Sequence, residues 1–147
     1  MNKRQDYIVL GIALLATFLP ILLIEFRVIH FTQGIFVYPI DDTFIHMQVA
    51  KNLSAHGNWG ITASQFGSAS SSIFYTVLLS LLFTVFGANM FIPLVINCIA
   101  GVILLYILQK RLKYYGINAT GQIIILLLII FLTPLPILIM RIAMPFR

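Results

Sequence analysis

The sequence predicts an all-α integral membrane protein, and three observations carry that prediction. Hydrophobic residues make up 61% of the 147 positions and charged residues only 9%. With a mean hydropathy of +1.03, the chain lies far outside the range of a soluble domain. Apolar runs of about 20 residues, the length that crosses a roughly 30 Å hydrocarbon core, recur along it. Basic residues gather at the ends of those runs, at Lys3-Arg4 and at Lys110, Arg111 and Lys113. The formal net charge of +5 is therefore information about topology and lipid surfaces. Membrane lipids are expected partners and nucleic acid is not. Cys98 is the only cysteine, which excludes an intrachain disulfide or a cysteine-based metal site.

The elements follow in order. Residues 7–26 read as a first transmembrane helix, with Pro20 as a kink point and Glu25 and Arg27 marking its far end. The run is too long for the apolar region of a signal peptide, and no small-residue cleavage site follows it. Lys3 and Arg4 in front of it favour a cytoplasmic N-terminus. Residues 27–72 form a loop containing one helix over 43–56, and they end in the small-residue stretch "SQFGSASSS". Residues 73–86 are apolar but too few for a comfortable crossing, so they read as a short re-entrant or fourth membrane helix. Residues 91–108 and 121–140 are long enough to cross, the latter containing Thr133-Pro134 and Pro136, with a loop at 109–120 between them. The expected total is about three transmembrane helices, a juxtamembrane helix and the short element. Charge bias separates the two readings of 73–86. If the segment only dips into the membrane, both basic clusters face the cytoplasm and the 27–72 loop faces outward.

That loop holds the densest chemistry in the chain. "VYPIDDTFIHMQVAKNLSAHGNWGI", residues 37–61, contains two of the four acidic residues, two of the three histidines and the only tryptophan. Pro39 disfavours helix at Tyr38, Asp41 or Asp42 suits the N-cap that follows, and Gly57 suits a left-handed C-cap. Helical periodicity places Asp42, Ile45, His46, Val49 and Leu53 on one face, and Thr43, Lys51 and Ser54 on another. A carboxylate and an imidazole on a packing face require partners or a task. One aspartate is explained as a cap and the second is left over. Asp42, four residues before His46, can pair with it, which makes a structural histidine the better expectation than a metal ligand. His56 suits the negative end of the helix dipole, Lys51 a snorkelling position, and Trp59 an interfacial aromatic belt. Asn52-Leu53-Ser54 and Asn118-Ala119-Thr120 match a glycosylation sequon that is common by chance.

The stretches "YPIDDTFIHMQVAKNLSAHGNWGI" and "FGSASSSIFYTVLLSLLFTVFGAN" resemble the N-terminal part of the GT-C superfamily of polytopic glycosyltransferases. The nearest relatives are the protein O-mannosyltransferase and aminoarabinose transferase-like families. The likeness covers roughly residues 1–112. It implies a GT-C-like fold and transfer of a sugar from a polyprenyl-phosphate donor to a lipid, glycan or protein acceptor at the non-cytoplasmic surface of a bacterial inner membrane. It implies further that Asp42, or its rival Asp41, is the general base for the acceptor hydroxyl. His46, Lys51 and Arg141 are expected on the substrate side; Arg141 and Arg147 emerge on the same side as Asp42, where they either contact a phosphate or are ordinary flanking charges. No metal ligand is assigned: some such enzymes use a divalent metal, but two adjacent carboxylates and one histidine make a poor site without ligands from elsewhere.

GT-C enzymes are several times longer, so the sequence is expected to be an N-terminal fragment with an incomplete active site. The alternative is a small non-catalytic accessory or assembly subunit that docks through the polar loop. A small transporter fits less well, since no inverted repeat and no ionisable residue at the centre of a span is evident. Asn97 reads as a helix-packing contact.

Overall fold

A computed structural model describes residues 3–31, 33, 41–68 and 70–141, except for the side chains of residues 41–43, 140 and 141. The regular structure among the described residues is entirely helical. The helices are α1 (Lys3–Phe31), α2 (Asp41–His56), α3 (Ile73–Phe86), α4 (Phe91–Tyr114), α5 (Ala119–Leu132) and α6 (Leu135–Arg141). Two of them, α1 and α4, are long and apolar enough to cross a membrane. Only 22% of the most apolar window of each is buried within the protein, whereas the core helix of a soluble protein would be mostly covered. Leu15, Leu22 and Phe26 on α1, and Val95, Ile99 and Ile103 on α4, present their side chains outward.

Both long helices exceed the limits read from hydropathy, because the charged residues at their ends continue the helix. Long basic side chains let a helix run on past the apolar stretch while their heads reach water. α1 passes through Pro20 without interruption; a proline costs one backbone bond, which an apolar helix tolerates. α4 absorbs Lys110, Arg111 and Lys113 and stops at Gly116, whose φ of 75° is left-handed. There the Ile117 N–H reaches the Leu112 carbonyl at 3.2 Å and the Gly116 N–H the Lys113 carbonyl at 3.0 Å, the paired bonds of a Schellman stop. The expected loop at 109–120 thus shrinks to residues 115–118.

The expected single helix over 121–140 is corrected to two, α5 and α6. Pro134 has no N–H and drives the residue before it out of helical conformation. The Thr133 backbone N–H closes α5 on the Ile129 carbonyl at 3.0 Å, and the Leu138 N–H opens α6 on the Pro134 carbonyl at 2.9 Å. The Asn118 side chain caps α5 by accepting from the Gly121 N–H at 2.8 Å.

The chain divides into two units. The first contains α1, α5, α6 up to residue 140, and α4 from Asn97 onward. Along α1 the buried residues are Val9, Ala13, Thr17, Ile21 and Glu25; along α5 they are Gln122, Leu126 and Ile130. Both sets step by four, which is the row by which helices interlock as ridges in grooves. Leu105, Leu135 and Ile139 complete the core. Asn97 donates to the Ile139 carbonyl at 3.1 Å, so it makes the packing contact the sequence suggests. Glu25 differs from its reading as a flanking charge: it lies on the buried stripe at 9% exposure. At the other end of α1, Lys113 is ion-paired with Asp6 at 2.5 Å and Gln109 donates to the Asp6 carbonyl at 2.7 Å. The start of α1 therefore lies beside the end of α4.

The second unit runs from Tyr38 to Ile96. α2 packs along α3 through Ala50, Leu79 and Phe83, with Ile92 and Ile96 from the start of α4 against them.

Two glycines give a direct test of the first unit. A Cβ on Gly101 would come within 2.7 Å of Ile139 Cδ1, whereas one on Gly11 meets nothing within 4 Å. Gly101→Val should lower unfolding stability in detergent by about 1–3 kcal/mol through overpacking. Gly11→Ala should be neutral or stabilising by up to about 1 kcal/mol, since alanine suits a helix interior better. Equal effects would rule out this packing of α4 against α6.

Candidate functional site

The polar loop builds its site on α2. This helix begins at Asp41, two residues earlier than the sequence suggests, so both aspartates lie inside its first turn instead of one capping it from outside. Acidic residues there are favoured by the positive end of the helix dipole. Their side chains, and that of Arg141 at the end of α6, lie outside the described residues, as does any pairing of Asp42 with His46. Gly57 closes the helix with φ 68°, its N–H on the Leu53 carbonyl at 3.0 Å.

His46 lies one turn after Asp42 and is only 5% exposed. Its ring is held by hydroxyls from the serine-rich stretch and from α3. Nδ1 is 2.9 Å from Thr76 Oγ1 and 3.0 Å from Ser70 Oγ, and Nε2 is 3.3 Å from Ser71 Oγ. Tyr75 stands edge-on to the imidazole, with centroids 5.7 Å apart. The Thr76 hydroxyl donates to the Ser72 carbonyl at 2.9 Å, so toward His46 it is an acceptor. A ring proton on Nδ1 fits that contact, and Nε2 lies within reach of the Ser71 hydroxyl. His46 is thus a pin between α2 and α3, with the exposed Ser71 beside its Nε2.

Asn52 is a residue whose role the sequence reading did not find. Noted there only for a sequon common by chance, it is 4% exposed, and Nδ2 donates to the carbonyls of Gly60 and Ile61, both at 2.8 Å. The amide is fully engaged, which rules out glycosylation of the folded chain at Asn52. Gln48 adds weaker bonds to Asn52 Oδ1 at 3.4 Å and to the Ile61 carbonyl at 3.3 Å. Gly67 then donates to the Trp59 carbonyl at 2.9 Å, closing the loop. Gly60 is the crossing point: a Cβ there would lie 2.1 Å from the Gln65 backbone oxygen, closer than any side chain permits. The one available signal was the spacing of Asn52 ahead of "GNWG", a turn whose carbonyls need donors.

The helical face is otherwise close to expectation. Val49 and His46 are buried, Lys51 is exposed and Leu53 only half-buried, while Ala50 and Asn52 join the buried set. Lys51 lines an open groove of about 590 Å³ with Phe44, Met47, Phe83 and Met90, the polar edge being Gln48 and Asn89. An apolar trough of that size with one ammonium suits an amphiphile with an anionic head. Among the described residues no cluster of three His, Cys, Asp or Glu side chains could hold a metal.

Asn52→Leu removes the donor for the buried Gly60 carbonyl and leaves Ile61 only its longer bond from Gln48; a buried carbonyl left unpaired costs about 1–3 kcal/mol. It should therefore destabilise the second unit by about 1–3 kcal/mol and open residues 57–67 to protease. Gly60→Ala should do the same by steric conflict. Native protease resistance in both variants would refute the pinned loop.

No family model, curated protein or solved structure matches the chain, so its chemistry is read from its own residues.

Proposed function

We propose that the chain belongs to a GT-C-type membrane glycosyltransferase that moves a sugar from a polyprenyl-phosphate donor to an acceptor hydroxyl on the non-cytoplasmic side. One observation carries the reading: the helix that opens with Asp41-Asp42 also lines the groove containing Lys51. A proton acceptor and a receptacle for an anionic lipid are thereby built on the same α2.

Topology supports it. The Asp6–Lys113 contact places Lys3-Arg4 and Lys110-Arg111-Lys113 at one end of the first unit, and the positive-inside rule puts that end in the cytoplasm. In the sequence α2 falls between α1 and α4, after the end of α1 that is remote from Lys3-Arg4. α3, with 14 residues, spans about 21 Å and is short for a crossing. The crossing elements are then α1, α4 and the α5–α6 pair, and α2 faces outward.

In this reaction the acceptor oxygen attacks the anomeric carbon of the sugar as Asp42 takes its proton, and the bond to the polyprenyl phosphate breaks with its electrons on the phosphate. Asp41 is the rival base. Lys51 offsets charge on the departing phosphate, while the apolar trough holds the first isoprene units. His46 keeps α2 in register with the serine stretch, and Arg141 is assigned to the phosphate side. Transfer at the surface spares the sugar any passage through hydrocarbon, which would strip its hydroxyls of water.

Sugar transfer assayed with a panel of polyprenyl-phosphate sugars checks the assignment. Asp42→Asn should lower kcat by about 10²–10⁴-fold, the usual worth of a general base, and Asp41→Asn should cost less. Lys51→Gln should act mainly on donor KM. Undiminished transfer in both aspartate variants would remove the catalytic reading.

A further inference from the structure

At the opposite end of the first unit from the α1–α2 connection, a cavity of about 320 Å³ opens between the start of α1 and the end of α4. Three lysines line it, Lys3, Lys110 and Lys113, against a single carboxylate, Asp6. The Lys113–Asp6 pair at 2.5 Å forms part of its wall. Lys110 lies over the Tyr106 ring, 5.3 Å from the centroid, which holds its ammonium at the wall. Among the described residues neither Lys3 nor Lys110 has a carboxylate partner, so the cavity keeps an excess of positive charge.

A second observation concerns Asp6. Its Oδ2 takes Lys113, but Oδ1 is buried and among the described residues has no hydrogen-bond partner. A buried carboxylate oxygen without a donor is costly and calls for one from outside the chain. The two features together describe a ligand with an anionic phosphate for the lysines and a hydroxyl for Asp6. The exposed Tyr7 and half-exposed Tyr106 at the mouth are side chains that favour the membrane–water boundary. The volume also matches a small headgroup.

We infer that this cavity is a binding site for the headgroup of an anionic, hydroxyl-bearing phospholipid of the phosphatidylglycerol class, with Lys3 and Lys110 on the phosphate and Asp6 Oδ1 accepting from a glycerol hydroxyl. Basic pockets between membrane helices are a recurrent form of lipid recognition. The site is independent of sugar transfer, shares no residue with the α2 groove, and stands or falls separately from it.

Native mass spectrometry of the full chain in detergent tests this with four added probes: dioleoyl phosphatidylglycerol, phosphatidylethanolamine, phosphatidylcholine and water-soluble glycerol phosphate. The expected result is one saturable phosphatidylglycerol per chain, held at least tenfold more tightly than the other two lipids and not displaced by equimolar glycerol phosphate. Each lysine near an anionic headgroup is worth about fivefold, so Lys3→Gln should weaken binding about fivefold and Lys3→Gln with Lys110→Gln roughly twenty-five-fold. Arg27→Gln, which removes one charge elsewhere on α1, should leave binding unchanged. Equal binding of phosphatidylglycerol and phosphatidylcholine would overturn the proposal, as would an unaffected double variant or an equal loss in Arg27→Gln. Full displacement by glycerol phosphate would show that the site takes a free phosphate ester instead of a lipid.

Discussion

The second unit depends on the two hydrogen bonds from Asn52 to the carbonyls of Gly60 and Ile61. Residues 57–68 and 70–72 contain no helix, so their backbone groups cannot satisfy one another in the regular way. α2 supplies donors from its own buried face, and Gly60 lets the chain cross over Gln65 without a side chain in between. The folded-back loop leads on to Ser70 and Ser71, which bond His46, where α3 starts against α2. The Asn52 amide and the His46 ring together tie the loop and α3 to α2.

Buried polar networks are high-stakes, since each member left unpaired costs more than a paired one gains. In a chain so apolar, the network around Asn52 and His46 selects one arrangement among many greasy alternatives. It also gives α2 three distinct sides. One packs on α3 through Ala50, one is pinned to the loop through Asn52, and one remains open at the groove with Lys51. A helix fixed on two sides presents the third with little conformational freedom. That is the condition under which a cation along its length keeps a fixed position relative to the groove.

Hydropathy made the helical class and the long apolar elements legible, because periodicity and run length are local properties. The limits were less so. Lys110 to Lys113 looked like a loop because charge suggests solvent, yet helix continues through them until Gly116 supplies a left-handed residue. Thr133-Pro134 was visible as a pair, but whether proline kinks or divides a helix depends on its neighbours. In the site, His46 and Val49 followed from helical spacing alone. Asn52 did not, since its partners lie eight and nine residues on in a turn, and the His46–Thr76 contact spans 30 residues. Composition marks such residues as polar but cannot say which carbonyl or hydroxyl each will meet.

The first unit orders its forces differently. Its core is a set of apolar rows spaced by four, and the Asp6–Lys113 pair, with side chains 26% and 39% exposed, contributes at most about 1 kcal/mol to stability. The ion pair therefore does not hold α1 and α4 together. Its effect is to consume one carboxylate oxygen and one ammonium at the mouth of a basic cavity, which fixes where the remaining charges sit. The direction of the helices is set by packing and by the Schellman stop of α4, whereas the charges determine what can lie against that end. In the second unit an apolar contact between α2 and α3 and the polar bonds of Asn52 and His46 act together, and the exposed groove is mostly apolar.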